Sequence, residues 1–260
     1  MTVALGATVR ASRLAMGAVV GVTVVTEDPA EAERAFAVAY AAIEAGEARM
    51  SEWRAGSLAS RLGAGEAVEV GEGEEVLVFA EALKTRTDGA FDVLWRHPGA
   101  RLWKEGAVWR ADAALDLGGL LKGWLNDRAA GALRAAGFRD FLVDSAGDLY
   151  AAGNAEGELG WSVEVWGERA LARVRLSDMA LSTSGNAGQP GHVHDARTGA
   201  SVFGDRVVSV VAPTGLVADG LATALYAGGW RPGLVESYGA WAMDGAHRSR
   251  GARRVFGRVR

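Results

Sequence analysis

Two oxygen-bearing side chains, Asp219 and Thr223, stand four residues apart in the stretch VADGLATALYAGG. On a helix that spacing puts both on one face, a turn apart. A carboxylate and a hydroxyl so placed can supply two oxygen ligands to a hard cation such as Mg2+. A capping Asp and a Thr bonded back to its own helix would leave the same trace. A second candidate is LSTSGNAGQPGHVHDARTG, residues 181–199, which has no helical pattern. Gly-rich turns carrying Thr183, Ser184 and Gly185 can bring backbone N–H groups onto a phosphate. His192 and His194 alternate as on one side of a strand. With Asp195 that HxH spacing also suits a metal, and a hairpin with a polar loop accounts for the same residues.

The third candidate is LDLGGLLKGWLND, residues 115–127. Gly118 and Gly119 follow an apolar run, and Lys122 is one of only three lysines among 28 Lys and Arg. The stretch fails the GxxxxGK[ST] phosphate loop and the GxGxxG dinucleotide fingerprint. It reads as a helix N-terminus able to take an anion, with one ammonium in reach.

These residues need elements to hold them. Residues 16–26, rich in Val, predict a strand. Asp28 and Pro29 then form a helix start, and Phe36, Tyr40 and Ile43 share one face of a helix running to about Arg49. A second helix is expected from about Glu74 to Arg86, with Val76, Phe79 and Leu83 on one face. A third runs from about Gly119 to Ala136 and a last from about Leu216 to Ala227. FLVD (141–144), WSVEVW, LARVRLSD and RVVSVVAP read as strands. No repeat or low-complexity linker divides the 260 residues, which predicts a single α+β domain over 1–260, with largely antiparallel sheets packed against helices.

Composition narrows the chemistry. No cysteine is present, which excludes thiolate catalysis, disulfides and cysteine-held metals. A net charge of −4 gives no case for nucleic acid as a partner. No stretch is long and apolar enough to read as a transmembrane segment, and no export signal is legible at the N-terminus. The Arg-rich C-terminus, HRSRGARRVFGRVR, reads as a solvated strand or tail.

In order along the chain, MGAVVGVTV, MSEWRAGSLASRL, TDGAFDVLW, LDLGGLLKGWLNDRA, SAGD, LSTSGN, HVHDARTG and ADGLATALYAGG resemble the successive motifs of the FAD:protein FMN transferases, the ApbE family. The resemblance implies an enzyme that binds FAD and Mg2+, breaks the pyrophosphate and transfers FMN to a Thr or Ser hydroxyl of an acceptor protein, releasing AMP. It implies Asp219, Thr223 and the carbonyl of Leu121 as metal contacts, and His192, Lys122 and Asp219 as catalytic. It also implies that Met16, Trp53, Asp92, Gly118, Gly119, Lys122, Asp148, Thr183, Ser184, Gly185 and His192 contact FAD, Trp53 by stacking on the flavin ring. His194 stands where the family carries an aliphatic residue and is not expected to be a ligand. Ala146 replaces a common glycine, where an added methyl would crowd a close approach to the flavin. The implied partner is a flavoprotein or redox-complex subunit carrying a Thr or Ser acceptor motif. The alternatives are an FAD pyrophosphatase giving FMN and AMP, or a non-catalytic FAD-binding protein. Family members are often exported and membrane-anchored, whereas this chain reads as cytoplasmic by sequence.

Overall fold

In the computed structural model, which describes residues 7–166, 170–186, 190–244, 247–250 and 252–257, the first helix begins where its cap residues place it. Asp28 accepts a hydrogen bond from the Ala30 N–H at 2.8 Å, and Pro29 occupies the first turn of α1 (Pro29–Met50). Phe36, Tyr40 and Ile43 are all buried, as their spacing predicts. Before α1 run two antiparallel strands, β1 (Thr8–Ala15) and β2 (Ala18–Val25). After it come α2 (Leu58–Gly63), α3 (Glu74–Arg86) and the hairpin β3 (Leu102–Glu105) and β4 (Val108–Ala111).

The next elements are α4 (Leu121–Ala135), β5 (Phe141–Ser145), β6 (Asp148–Ala152), β7 (Trp161–Trp166), β8 (Ala170–Leu176) and β9 (Met179–Ser184). A small hairpin, β10 (His194–Asp195) and β11 (Ala200–Ser201), precedes β12 (Val208–Ala212). The chain continues through α5 (Gly215–Gly228), α6 (Pro232–Ser237), β13 (Trp241–Met243), α7 (Ala252–Val255) and β14 (Phe256–Gly257).

Seven strands form one sheet in the order β1-β2-β5-β6-β9-β12-β13, every neighbour antiparallel. Period-two alternation divides each strand between two apolar layers. Val20, Val22, Phe141, Val143, Tyr150, Val208 and Val210 face the helical side, where α4 lies between α1 and α5. Leu149, Ala151, Leu181 and Val211 face the opposite side, where a three-stranded sheet, β14-β8-β7, covers them with Trp161, Val165 and Val174. The mixed, largely antiparallel α+β architecture is the expected one.

Several details differ from expectation. The third helix starts at Leu121, because residues 118–120 form the turn that precedes it. β1 was not legible: its residues alternate between exposed and half-buried at the sheet edge. Within the Arg-rich stretch read as a solvated strand or tail, residues 252–255 are helical and Phe256–Gly257 form the strand β14, which pairs with β8. Residues 1–6, 187–189, 245–246, 251 and 258–260 of the stretches read above lie outside the described residues. Among the described residues no helix is long and apolar enough to cross a membrane.

Candidate active site

The GGLLKG turn is built by contact with α5. A Cβ at Gly119 would lie 2.8 Å from Thr223 Cγ2 and 3.0 Å from its Oγ1, so only glycine lets the turn rest on that hydroxyl. At Gly123 a Cβ would stand 2.1 Å from the Gly215 carbonyl oxygen, so α4 and α5 meet here backbone to backbone. The Gly123 N–H donates to Asp219 Oδ2 at 3.0 Å, so Asp219 bonds across to α4 and does not cap its own helix. Thr223 Oγ1 lies 3.3 Å from Ser184 Oγ. One turn past Gly123 on α4, Asp127 accepts from the Gly215 N–H at 2.6 Å and the Leu216 N–H at 2.9 Å, capping α5 from outside.

Charge is unbalanced where these helices meet. The Lys122 ammonium contacts the Asp148 carboxylate, whose side chain is 5% exposed. Buried Asn126 donates to the Asp148 carbonyl at 2.7 Å and accepts from the Ser145 hydroxyl at 2.6 Å, fixing the start of β6. Asp219 is likewise buried. Burial pushes its carboxyl up to about 7; the Asp148 charge adds to the rise, and Lys122 and the Gly123 N–H oppose it. Burial works against the Lys122 ammonium, but Asp148 and Asp219 outweigh it and hold its pKa above the ordinary lysine value.

One ammonium therefore faces two buried carboxylates, an arrangement a further cation would balance. Among the described residues no group of three or more His, Asp or Glu is arranged to hold a metal. The donors on hand are the Asp219 carboxylate and the Thr223 hydroxyl, with Asp148 and Ser184 close by, all oxygen, which suits a hard cation such as Mg2+. Asp219 and Thr223 are the candidate holders at this centre, whereas Leu121, the third residue expected to contact the ion, lines an adjoining cavity.

Around this centre lies a cavity of about 400 Å3 whose walls include Asp92, Gly118, Gly119, Lys122, Asp148, Thr183, Ser184, His192, Asp219 and Thr223. An adjoining cavity of about 460 Å3 is lined by Met16, Leu121 and Arg54, and shares Glu52, Trp53, Gly118 and Lys122 with the first. The structure thus brings together every site residue expected from the sequence except Gly185. That residue lines neither cavity and packs toward Val207, where a Cβ would meet Cγ2 at 3.3 Å. Trp53 is 82% exposed at the lip of both cavities. Met16 takes a positive φ of 56° in the β1–β2 turn. Thr183 Oγ1 is engaged with Ser209 Oγ at 2.9 Å, and Asp92 pairs with Lys84 at 2.8 Å.

The two histidines part ways. His192 is exposed in the turn before β10 and is not on a strand with His194. His194 is half-buried and lies flat on Trp95, ring centroids 3.7 Å apart, with Nε2 at 3.1 Å from Ser201 Oγ. Ala146, exposed in the β5–β6 turn, lines neither cavity, so it does not crowd a ligand there. Sequence reasoning missed Glu52, Trp95, Asp116, Asn126 and Asp127. Asn126 stands four residues past Lys122 on α4, a helical neighbour that spacing could have flagged. Glu52, whose carboxyl is pushed up by burial and by the nearby Asp116, comes into the wall only through chain crossings. Trp95 Nε1 donates to Asp116 at 2.8 Å and belongs to the same wall.

The profile of the ApbE family matches residues 100–236. A curated FAD:protein FMN transferase of Rhodobacter capsulatus is 34% identical over 128 residues, 44% of this chain and 24% of that protein. One from Haemophilus influenzae is 30% identical over 128 residues, 43% of this chain and 37% of that protein. The matched segment spans about a quarter of the first relative's length and a little over a third of the second's. Among solved structures, the flavin transferase ApbE from Vibrio cholerae superposes with a TM-score of 0.82 at 22% identity, covering 96% of this chain and 99% of that one. The apo Pseudomonas stutzeri flavinyl transferase ApbE gives 0.81 at 23% identity, covering all of both chains. At these identities the structural likeness is one of fold.

Proposed function

Because this chain belongs to the ApbE family, we propose that it breaks the pyrophosphate of FAD and transfers the FMN half to a Thr or Ser hydroxyl of an acceptor protein, releasing AMP. The observation that carries this reading is the meeting of Asp219, Thr223, Lys122, Asp148 and His192 in one cavity of about 400 Å3. The curated relatives named above are FAD:protein FMN transferases, which supports the same reaction here.

In the proposed step the acceptor oxygen bonds to the FMN phosphorus, the bond from that phosphorus to the bridging oxygen breaks, and AMP leaves with the bridging oxygen. The hydroxyl proton passes to His192, whose imidazole nitrogen can accept it as a general base. Lys122, aimed by Asp148, sets an ammonium beside the phosphoryl oxygens where charge develops. Trp53 offers its ring face to the isoalloxazine, and Met16 closes the same cavity from the β1–β2 turn. Mg2+ held by Asp219, Thr223 and the Leu121 carbonyl would supply Lewis-acid neutralisation of the phosphoryl charge.

The exposure of His192 favours one second reading, an FAD pyrophosphatase in which water takes the place of the acceptor hydroxyl. Incubation with FAD, Mg2+ and a peptide carrying an Asp followed four and five residues on by Ala and Thr separates the two. A mass gain of one FMN on the peptide, abolished by Asp219→Ala, is the expected outcome. Free FMN and AMP beside an unmodified peptide would select the pyrophosphatase, and intact bound FAD would rule out both.

A further inference from the structure

The transferase reading requires a polypeptide to reach His192, and one exposed aromatic ring stands beside that histidine outside the cavity. We propose that Phe203 is the apolar contact on which the acceptor polypeptide docks, an inference that rests on the transferase reading. Phe203 is 70% exposed. Its ring lies directly on Gly191, the residue before His192: a Cβ there would stand 2.7 Å from Cε1 and 2.8 Å from Cζ.

The two are held as a unit. The Asn186 side-chain amide donates to the Gly204 carbonyl at 3.0 Å, while its oxygen accepts from the Gly191 N–H at 3.0 Å. From the other side the Val202 N–H donates to the Val193 carbonyl at 2.8 Å, and the Val193 side chain is buried beneath. A single exposed aromatic is ordinary on a protein surface. This one is clamped at a fixed offset from the imidazole that takes the acceptor's proton.

Position decides the occupant. His192 lines the cavity and Phe203 does not, so a nucleotide in the cavity and a water on His192 have no use for the ring. A protein hydroxyl arrives from outside, with its backbone and flanking side chains on the face that Phe203 presents. Apolar contact there orders a chain that would otherwise sample many approaches, so the ring acts on acceptor affinity and leaves the chemistry of FAD alone. The matching acceptor segment carries an apolar or small residue beside its hydroxyl.

The test uses the full chain with FAD, Mg2+ and the same Asp-to-Ala-Thr peptide, comparing wild type, Phe203→Ala and Phe203→Leu. Truncation of an aromatic anchor should raise the KM for the peptide roughly tenfold. FAD binding and any release of FMN without peptide should stay within about twofold of wild type, since neither touches the ring. Phe203→Leu should recover most of the lost peptide affinity. An unchanged KM would overturn the proposal. So would an equal fall in peptide transfer and peptide-free FMN release, which would make Phe203 a support for the His192 turn. A wild-type enzyme that releases FMN and AMP but never labels the peptide overturns the transferase reading first, and the docking site with it.

Discussion

Ala146 holds a φ of +53° and Gly147 a φ of +95° in the two-residue turn joining β5 to β6. Both central positions of such a turn need the left-handed region, which Asn and Gly enter readily and Ala does not. The cost of Ala146 therefore sits in its backbone, and no ligand shares it, because the residue lines neither cavity. Ala146→Asn should stabilise the protein by about 1 kcal/mol, raising Tm by roughly 2–4 °C for a chain of this size, with FAD affinity unchanged. Thermal unfolding with and without FAD checks both parts, and a lowered Tm would refute the backbone account. Met16 shows the opposite case. Its φ of 56° is equally costly, but its side chain forms part of the second cavity wall, so the strain lies where the residue is used.

The α4–α5 pair is the element on which the centre depends. Gly123 lets the two helices touch, and the carboxylate of Asp127 takes both free N–H groups at the start of the helix that carries Asp219 and Thr223. Burial raises the Asp127 carboxyl to about 6, against the lowering effect of those two N–H groups. In an unfolded chain the same group titrates near 3.9. The folded state thus binds this proton more tightly, so the stability linked to it is fully present below about pH 4 and is lost as the pH rises through 6. Two units correspond to on the order of 3 kcal/mol. Asp127→Asn carries no titrating proton there. Between pH 4 and pH 7 wild type should lose stability relative to this variant, by up to that amount, in urea unfolding at each pH. Parallel profiles would show that the proton is not bound more tightly in the fold.

At the scale of the whole molecule, the long helices were legible because their information is local: a cap at Asp28, a proline behind it, and apolar residues at helical spacing. The motif stretches were legible for the same reason, since GGLLKG and Asp219–Thr223 carry their chemistry within a few residues. β1 was hidden because an edge strand need not bury either face fully, so Arg10 and Arg13 break its pattern. Glu52, Trp95 and Asp116 lie inside the quoted motif stretches, beside Trp53, Asp92 and Gly118, but no local pattern there records which side chains turn into the wall. That wall draws on residues from position 16 to position 227, across the β1–β2 turn, the start of α4, the start of β6, the end of β9 and α5. Ligand bound there bridges most of the helical layer and the sheet, so it should stabilise the molecule as a unit by the mass-action term, about 2.7 kcal/mol at a hundredfold excess over Kd. With FAD bound as proposed, the two buried carboxylates would oppose its phosphates unless a cation balanced them. FAD with Mg2+ should therefore raise the urea midpoint well beyond FAD with EDTA, and Asp219→Ala should remove the difference between those two conditions. A full shift in EDTA, or a Mg2+-dependent shift that survives Asp219→Ala, would place the cation elsewhere.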